Sequence, residues 1–372
     1  MADPESQSNL HVVVAGGGTG GHLFPGLAVA EELRRLEPGT KVTFVGTESG
    51  IESRVIPDTP FELEIVEVKA LKGGGLLRRA ASVAGLPGSG LKAHRLLKRL
   101  DPDVVVSVGG YAAGPVTMVA SISSIPTALM EQNSYPGLTN RLLSRFVDRA
   151  FVTFEDSAEY LADLPVSAVG NPVRRPLIEQ AEQFEYQPPQ RGGQFRILVI
   201  GGSGGAGSFN ERLPLLFGSM GELEKRLQVR HQAGKDRSAE ARPGYREFAG
   251  EVEVVEFIDD MAEAYRWCDL LICRAGASTI AEVLTLGIPA VYVPFPHAAD
   301  DHQTANARSV VECGGGVMID DAEIDSDRAR NILTGLMNNP ESLANLAAGA
   351  RKQARPDAGA TIAAQLRKMA GR

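Results

Sequence analysis

The sequence predicts an α/β chain of two Rossmann-like domains facing each other, and three observations carry that reading. LHVVVAGGGTGGHLFPGLAVAEEL (Leu10–Leu33) joins a short apolar run to a break of glycines, then to Leu23, Leu27, Ala30 and Leu33 at helical spacing. That is the pattern of a buried strand, a tight turn and a helix. FRILVIGGSGGAGSFNERL (Phe195–Leu213) restarts the same plan halfway along. Between and after these stretches, apolar runs alternate with helical ones at the interval of a mostly parallel sheet covered on both faces. A chain of 372 residues suits two domains of about 150–200 residues each.

Taken in order, the first strand ends in Gly16, Gly17 and Gly18, and its helix carries Pro25, read as a first-turn proline. KVTFVGT (Lys41–Thr47) and FELEIVEV (Phe61–Val68) read as the second and third strands. DVVVSVGGYAAGP (Asp103–Pro115) is a strand ending in a second glycine turn, and IPTALMEQN (Ile125–Asn133) a strand ending in polar residues. RAFVTF (Arg149–Phe154) and SAVGNPVR (Ser167–Arg174) close the first half. EQAEQFEYQPPQRGG (Glu179–Gly193), polar and rich in proline and glycine, is the linker candidate, although the chain can leave the first domain earlier, near Asn171–Pro172. In the second half VRHQAGK (Val229–Lys235), VEVVEFI (Val252–Ile258), DLLICRAG (Asp269–Gly276) and PAVYVPFP (Pro289–Pro296) are further strands. The expected domains are 9–171 and 172–349, with a terminal helix at about 350–368 packing back on the first.

Composition narrows the class. The 43% hydrophobic content is ample for packed cores, and 41 glycines gather in turns. Three cysteines without a CxxC argue for a reducing compartment and against structural zinc. No 18-residue apolar run is available for a membrane span. A net charge of −8 speaks against nucleic acid as a partner. A local exception runs from Lys69 to Arg99, with eight Lys/Arg, no acid and interleaved leucines. It reads as an interfacial patch for anionic lipid, against the alternative of a solvated helix face around Lys92–Arg99.

Ligands of parallel α/β sheets sit at the carboxyl ends of the strands. The first turn therefore points to a phosphate or nucleotide-like ligand at a helix N-terminus. It is read as departing from the dinucleotide fingerprint G-x-G-x-x-G, which counts against a dinucleotide-dependent oxidoreductase. His22 is a base for an attacking hydroxyl or a positioning group. The turn Gly201–Ser208, with the Ser203 hydroxyl, suits a diphosphate. Glu282 either accepts ribose hydroxyls or closes a capping box with Thr279; sequence leaves both open. FPHAADDHQTANA (Phe295–Ala307) reads as a hydrogen-bonding loop for sugar hydroxyls rather than a metal site. Asp101 and Asp103 precede their strand and are set aside.

Eight motifs, GGGTGGHLFPGLAVAEEL, SVGGYAAGP, MEQN, GNPVR, GGSGGAGSFN, EFIDDMAEAY, CRAGASTIAE and GIPAVYVPFPHAADDHQTANA, occur in the order found in the MurG family and resemble it over nearly the whole chain. These are UDP-N-acetylglucosamine transferases that make lipid II in bacterial peptidoglycan synthesis. The resemblance implies the GT-B fold and an inverting transfer of GlcNAc from UDP-GlcNAc to the C4 hydroxyl of MurNAc in undecaprenyl-pyrophosphoryl-MurNAc-pentapeptide (lipid I), with no metal and no cofactor. Carried over residue by residue, it implies His22 as the base. It places the donor on Thr19, Gly20, Gly21, Asn133, Arg174, Ser203, the Ile258 backbone, Ala277, Ser278, Thr279, Ile280, Ala281, Glu282, His302 and Gln303. The acceptor pyrophosphate falls to Gly17, Gly18, Gly109, Gly110, Tyr111 and Gly114. Lys69, Lys72, Leu76, Leu77, Arg78 and Arg79 become the membrane patch, at the cytoplasmic face of the plasma membrane. Some members carry two adjacent glutamines where this chain has His302–Gln303, and others carry Gln at the position of Gly204. A UDP-GlcNAc 2-epimerase on the same architecture is the alternative reading.

Overall fold

The structure, a computed structural model, describes residues 10–66, 86–110, 112–202 and 204–372. Lys69, Lys72, Leu76, Leu77, Arg78, Arg79, Tyr111 and Ser203 fall outside that range. The chain divides into two compact units. One takes the chain through Arg174 together with Pro356–Arg372, and the other is Arg175–Arg355.

The first unit is a seven-stranded sheet: β1 (His11–Gly16), β2 (Lys41–Gly46), β3 (Glu62–Ile65), β4 (Val104–Gly109), β5 (Thr127–Glu131), β6 (Arg149–Val152) and β7 (Val166–Ala168). The spatial order is β3-β2-β1-β4-β5-β6-β7, and every pairing is parallel. Val12, Val13 and Val14 are all fully buried, as a strand covered on both faces requires; each such side chain contributes about 1.5–3 kcal/mol. Helices cover the faces: α1 (Gly20–Leu36), the single turn α2 (Glu52–Val55), α3 (Leu86–Leu100), α4 (Ala113–Ile122) and α5 (Leu138–Leu143).

One expectation is corrected here. Pro25 is the sixth residue of α1, beyond the first turn, because the helix already starts at Gly20. Its missing N–H leaves the Gly21 carbonyl without an i+4 donor. Within the basic segment, α3 buries Ala93, Leu96 and Leu97 and turns Lys92, Arg95, Lys98 and Arg99 outward. Arg99 is paired to Glu64 at 2.9 Å. Asp103 is structural, its carboxylate accepting the His11 N–H at 2.8 Å at the amino end of β1.

The second unit is a six-stranded parallel sheet: β8 (Phe195–Ile200), β9 (Leu227–Gln232), β10 (Glu251–Val255), β11 (Leu270–Cys273), β12 (Ala290–Tyr292) and β13 (Val317–Met318), ordered β10-β9-β8-β11-β12-β13. β13, only two residues long, is invisible to periodicity. The unit starts before the polar stretch expected as a linker, because α6 (Arg175–Gln183) buries Ile178 and Ala181 and packs on it. Its other helices are α7 (Gly207–Gly218), α8 (Ser238–Ala241), α9 (Met261–Trp267), α10 (Ala277–Leu286), α11 (His302–Val311), α12 (Asp327–Asn338) and α13 (Pro340–Gln353).

Pro356 stops the terminal helical stretch, since it lacks a donor and restricts the residue before it. The chain resumes as α14 (Ala358–Met369). Ile362, Ala363 and Leu366 enter the first unit's core beside Leu23 and Leu27 of α1. We expect Leu366→Ala to lower the unfolding free energy of that unit by about 2–5 kcal/mol, read from its urea midpoint; an unchanged midpoint would mean that α14 is not part of this core.

Behind the second unit's glycine turn lies a buried polar chain. Asn210 donates its amide to the Ala233 carbonyl at 3.0 Å and to Glu240 at 2.9 Å, so its oxygen faces His231 Nε2 at 3.1 Å. That nitrogen therefore carries the proton, and Nδ1 accepts from the Tyr245 hydroxyl at 2.9 Å. Burial pushes His231 down to about 4. The unfolded chain binds the proton near 6.5. The stabilisation is thus complete above pH 6.5 and is lost as pH falls toward 4. It amounts to about 3 kcal/mol. Relative to His231→Gln, the wild-type advantage in urea unfolding should shrink by about 2–3 kcal/mol between pH 7 and 4.5. An advantage independent of pH would contradict a neutral buried imidazole.

Candidate functional site

In each sheet the strand order reverses at one place, between β1 and β4 in the first unit and between β8 and β11 in the second. A crevice opens at the carboxyl ends of the strands at such a point. Both glycine turns found in the sequence leave the sheet there.

In the first unit the turns after β1 and β4 touch backbone to backbone. The Gly17 N–H donates to the Gly109 carbonyl at 3.1 Å. Gly16, Gly109 and Gly110 have φ of 125°, 90° and 87°, a region open to glycine and costly for other residues. A Cβ on Gly16 would run into the Gly109 carbonyl, and one on Gly110 would come within 2.5 Å of the Gly17 carbonyl oxygen. His22, the third residue of α1, lies over this contact. Its Nδ1 is 3.2 Å from the Thr19 hydroxyl. A Cβ on Gly109 would approach Nε2 to 3.1 Å, so glycine there leaves room for the ring. Gly20 and Gly21 supply first-turn N–H groups that no helical carbonyl can reach. Gly114 lies in the first turn of α4.

Beside these turns, Asn133 is held by Glu131, which the sequence reading passed over. Glu131 Oε1 accepts from the Asn133 backbone at 2.9 Å and side chain at 3.3 Å; Oε2 accepts from Asn140 at 2.9 Å and the Gly137 N–H at 3.1 Å. Burial raises its pKa while these four donors pull it down. Arg174 is ion-paired with Glu31 of α1 at 3.1 Å. Glu52 was also missed: its buried carboxylate accepts the Gly18 N–H at 2.7 Å. Gly16, Gly18 and Gly21 do in fact fall on the G-x-G-x-x-G spacing, which corrects the expectation that spacing sets the turn apart. What distinguishes it is that the Gly18 amide is already bonded to Glu52.

In the second unit the turn after β8 leads into α7. Gly205 packs so tightly on the turn after β9 that a Cβ would run into the Ala233 carbonyl. Side chains bond the carbonyls of this turn: Gln232 donates to Gly202 at 3.2 Å, and Arg237, paired with Glu240, donates to Gly204 at 3.2 Å. Its amides lie at the N-terminus of a twelve-residue helix, a place for an anion. Across the switch point, α10 starts with Ala277, Ser278 and Thr279, again with orphan N–H groups.

The N-cap of α10 is Gly276, so Thr279 is already inside the helix and the capping-box reading of Glu282 fails. Glu282 Oε2 instead accepts a 2.8 Å bond from the Tyr265 hydroxyl of α9. Tyr265 is buried and was legible only as part of EFIDDMAEAY. Ile258 lies in the loop after β10. Gln303 accepts the Phe295 N–H through its amide oxygen at 2.9 Å, which aims its NH2 elsewhere. His302 Nδ1 is 2.7 Å from the Ala299 carbonyl and therefore donates to it. Arg274, buried and unremarked in CRAGASTIAE, bonds Asp321 at 2.6 Å, Ser208 at 2.7 Å and the carbonyls of Val293 and Pro294, and stacks 4.3 Å over Phe209. It ties the ends of β11 and β12 to the first turn of α7. Among the described residues no cluster of three His, Cys, Asp or Glu is placed to hold a metal ion.

Known proteins match this arrangement. Residues 12–152 match the Glycosyltransferase family 28 N-terminal domain, and residues 196–362 the Glycosyltransferase family 28 C-terminal domain. A protein of Anaeromyxobacter sp. (strain Fw109-5) is 43% identical over 354 residues, covering 95% of this chain and 92% of its own length. Its name is UDP-N-acetylglucosamine--N-acetylmuramyl-(pentapeptide) pyrophosphoryl-undecaprenol N-acetylglucosamine transferase. A protein of the same name from Myxococcus xanthus (strain DK1622) is 42% identical, covering 95% of this chain and 91% of its own. The crystal structure of Acinetobacter baumannii MurG matches with a TM-score of 0.80 at 33% identity, covering 96% of this chain and 99% of that one. A UDP-N-acetylglucosamine 2-epimerase structure matches at 0.65 with 12% identity, a likeness of fold alone. With both halves matched and relatives this similar along nearly its whole length, the chain belongs to glycosyltransferase family 28 and, within it, to the MurG transferases.

Proposed function

We propose that this protein transfers GlcNAc from UDP-GlcNAc to the C4 hydroxyl of MurNAc in lipid I, with inversion, giving lipid II and UDP for peptidoglycan synthesis. One observation carries the reading: each switch point bears a glycine turn opening on a helix N-terminus, the first followed by an imidazole, while the helix across the second switch point carries a carboxylate oriented by Tyr265.

The donor belongs to the second unit. Its diphosphate meets the amides at the starts of α7 and α10, and the Ser203 hydroxyl adds a donor. Glu282 takes the ribose hydroxyls, held in orientation by Tyr265. The Ile258 backbone reads the uracil, the segment Ala277–Ala281 runs along the nucleotide, and Gln303 offers its NH2 to GlcNAc hydroxyls. His302, committed to the Ala299 carbonyl, braces that loop. Asn133, Arg174 and the Thr19–Gly21 turn also contribute to the donor. The acceptor pyrophosphate belongs to the Gly109–Gly114 turn and the start of α4, with Tyr111. In the chemical step the C4 hydroxyl gives its proton to His22 as its oxygen bonds to C1. The bond from C1 to the phosphate oxygen breaks, and that electron pair leaves with UDP. The helix N-termini stabilise the charge that develops there.

Among the described residues no helix is long and apolar enough to cross a membrane. The lipid-anchored acceptor is reached at the cytoplasmic face of the plasma membrane, where Lys69, Lys72, Arg78 and Arg79 meet anionic headgroups and Leu76 and Leu77 enter the interface.

Transfer of radiolabelled GlcNAc from UDP-GlcNAc to a lipid I analogue, with EDTA present, tests the reading. Wild type should turn over, and His22→Ala should lose kcat by roughly 10²–10⁴. No transfer by wild type would remove the assignment in favour of the epimerase. Undiminished transfer by the variant would reduce His22 to a binding group. The donor site has its own test. Tyr265→Phe should raise KM for UDP-GlcNAc by about 2- to 12-fold, the worth of one hydrogen bond of ~0.5–1.5 kcal/mol. Glu282→Gln should raise it further, with KM for the acceptor unchanged. An acceptor KM that rises instead would move Glu282 out of the donor site.

A further inference from the structure

Glu52 carries no motif, yet at 1% exposure it is the most buried acid among the described residues of the first unit. It sits in α2, just after β2. Oε1 accepts the Thr47 N–H at 2.7 Å and the Thr47 hydroxyl at 3.1 Å, while Oε2 accepts the Gly18 N–H at 2.7 Å. The chain makes room for it with glycine at three places. A Cβ on Gly17 would stand 2.6 Å from Oε2, and Cβ atoms on Gly46 and Gly50 would run into the same carboxylate. A buried carboxylate is tolerated only where donors meet it, and here the donor facing the site is the turn itself. Gly18 leads through Thr19, Gly20 and Gly21 directly to His22.

We propose that Glu52 is a positioning residue for His22. Its carboxylate is an internal anion that occupies the place a ligand phosphate takes at such a turn. The Gly18 amide is thereby withdrawn from ligand binding, and the turn is fixed so that the imidazole is presented at one height above Gly109. The second unit shows the contrast: there side chains hold the turn by its carbonyls, through Gln232 and Arg237, and no carboxylate is bonded to the described turn amides in this way. The first turn mounts the base while its Thr19–Gly21 end still reaches the donor, and the second is a cradle for a diphosphate. This inference rests on the reading of His22 as the base.

The test is a double-mutant cycle in the transfer assay, combined with urea unfolding. Glu52→Gln keeps the shape but turns an NH2 toward one set of donors. Alone it should lower kcat roughly 10- to 100-fold, the scale of a misplaced catalytic group, more than it raises KM for UDP-GlcNAc. In the His22→Ala background the same change should cost less than about 2-fold, because the group it positions is gone. Thr47→Val, which removes only the hydroxyl donor, provides a milder second variant if Glu52→Gln unfolds; it should lower kcat in the same coupled way by about 2- to 12-fold, the worth of one such bond. An equal cost in both backgrounds, or an unchanged kcat in Glu52→Gln, overturns the proposal while leaving His22 as base. Full activity in His22→Ala overturns both.

Discussion

The Gly17 N–H bonded to the Gly109 carbonyl is the contact that fixes how the first unit's two glycine turns meet and where α1 begins. Strands β1 and β4 lie side by side with matched register as far as Ala15, and the register shifts between Ala15 and Gly16. At that shift the two chains leave the sheet and would diverge. Instead the turns close on each other at a distance only backbone can reach, with glycines at Gly16, Gly109 and Gly110 in the left-handed region. The consequence is positional. α1 starts from this closed turn, and a residue three places into a helix has little freedom once the turn before it is pinned.

Much of this was legible in the sequence, for a physical reason. A strand buried on both faces must be uniformly apolar, and VVV at Val12–Val14 can satisfy little else. A turn that brings backbone against backbone must be glycine, and GGG and GG announce it. Both signals are local, which is why the two sheets and their turns could be read off. The partners of the turns could not. Glu52 and Glu131 are single acids among many, and only the fold reveals that each is enclosed by backbone N–H donors. Tyr265 is seventeen residues from Glu282, and a hydroxyl-to-carboxylate bond across two helices leaves no periodic trace. Pro25 and the Thr279–Glu282 pair misled for the opposite reason. Both matched local rules for helix starts, but the starts were fixed elsewhere by Gly20 and Gly276 at the ends of their turns.

Position at a switch point is a property of the fold, while the use made of it is a property of charge. Parallel sheets with this strand order support many chemistries, and the epimerase likeness at 12% identity illustrates that the scaffold alone does not choose. What chooses is which backbone groups remain unspent. In the first unit, carboxylates are spent on turn amides: Glu52 on Gly18 and Glu131 on Asn133 and Gly137. Those three amides are thereby withheld from a ligand, whereas no carboxylate is bonded to the described amides of the turn after β4. In the second unit the turn after β8 is bonded through its carbonyls, and the buried cation Arg274 stands at the end of β11 with Asp321 and Ser208.

That asymmetry gives a physical reason for dividing the substrates as the proposed mechanism does. A leaving diphosphate needs amides and helix N-termini not already committed to an internal acid, because its negative charge grows as the bond to C1 breaks. In the proposed mechanism the attacking hydroxyl needs a base at a fixed place, and the bonds of Gly18 to Glu52 and of Gly17 to Gly109 fix the turn before His22. On the proposed mechanism the same strand-turn-helix element thus serves two ends, as a turn pinned by a carboxylate in the first unit and a turn held by its carbonyls in the second.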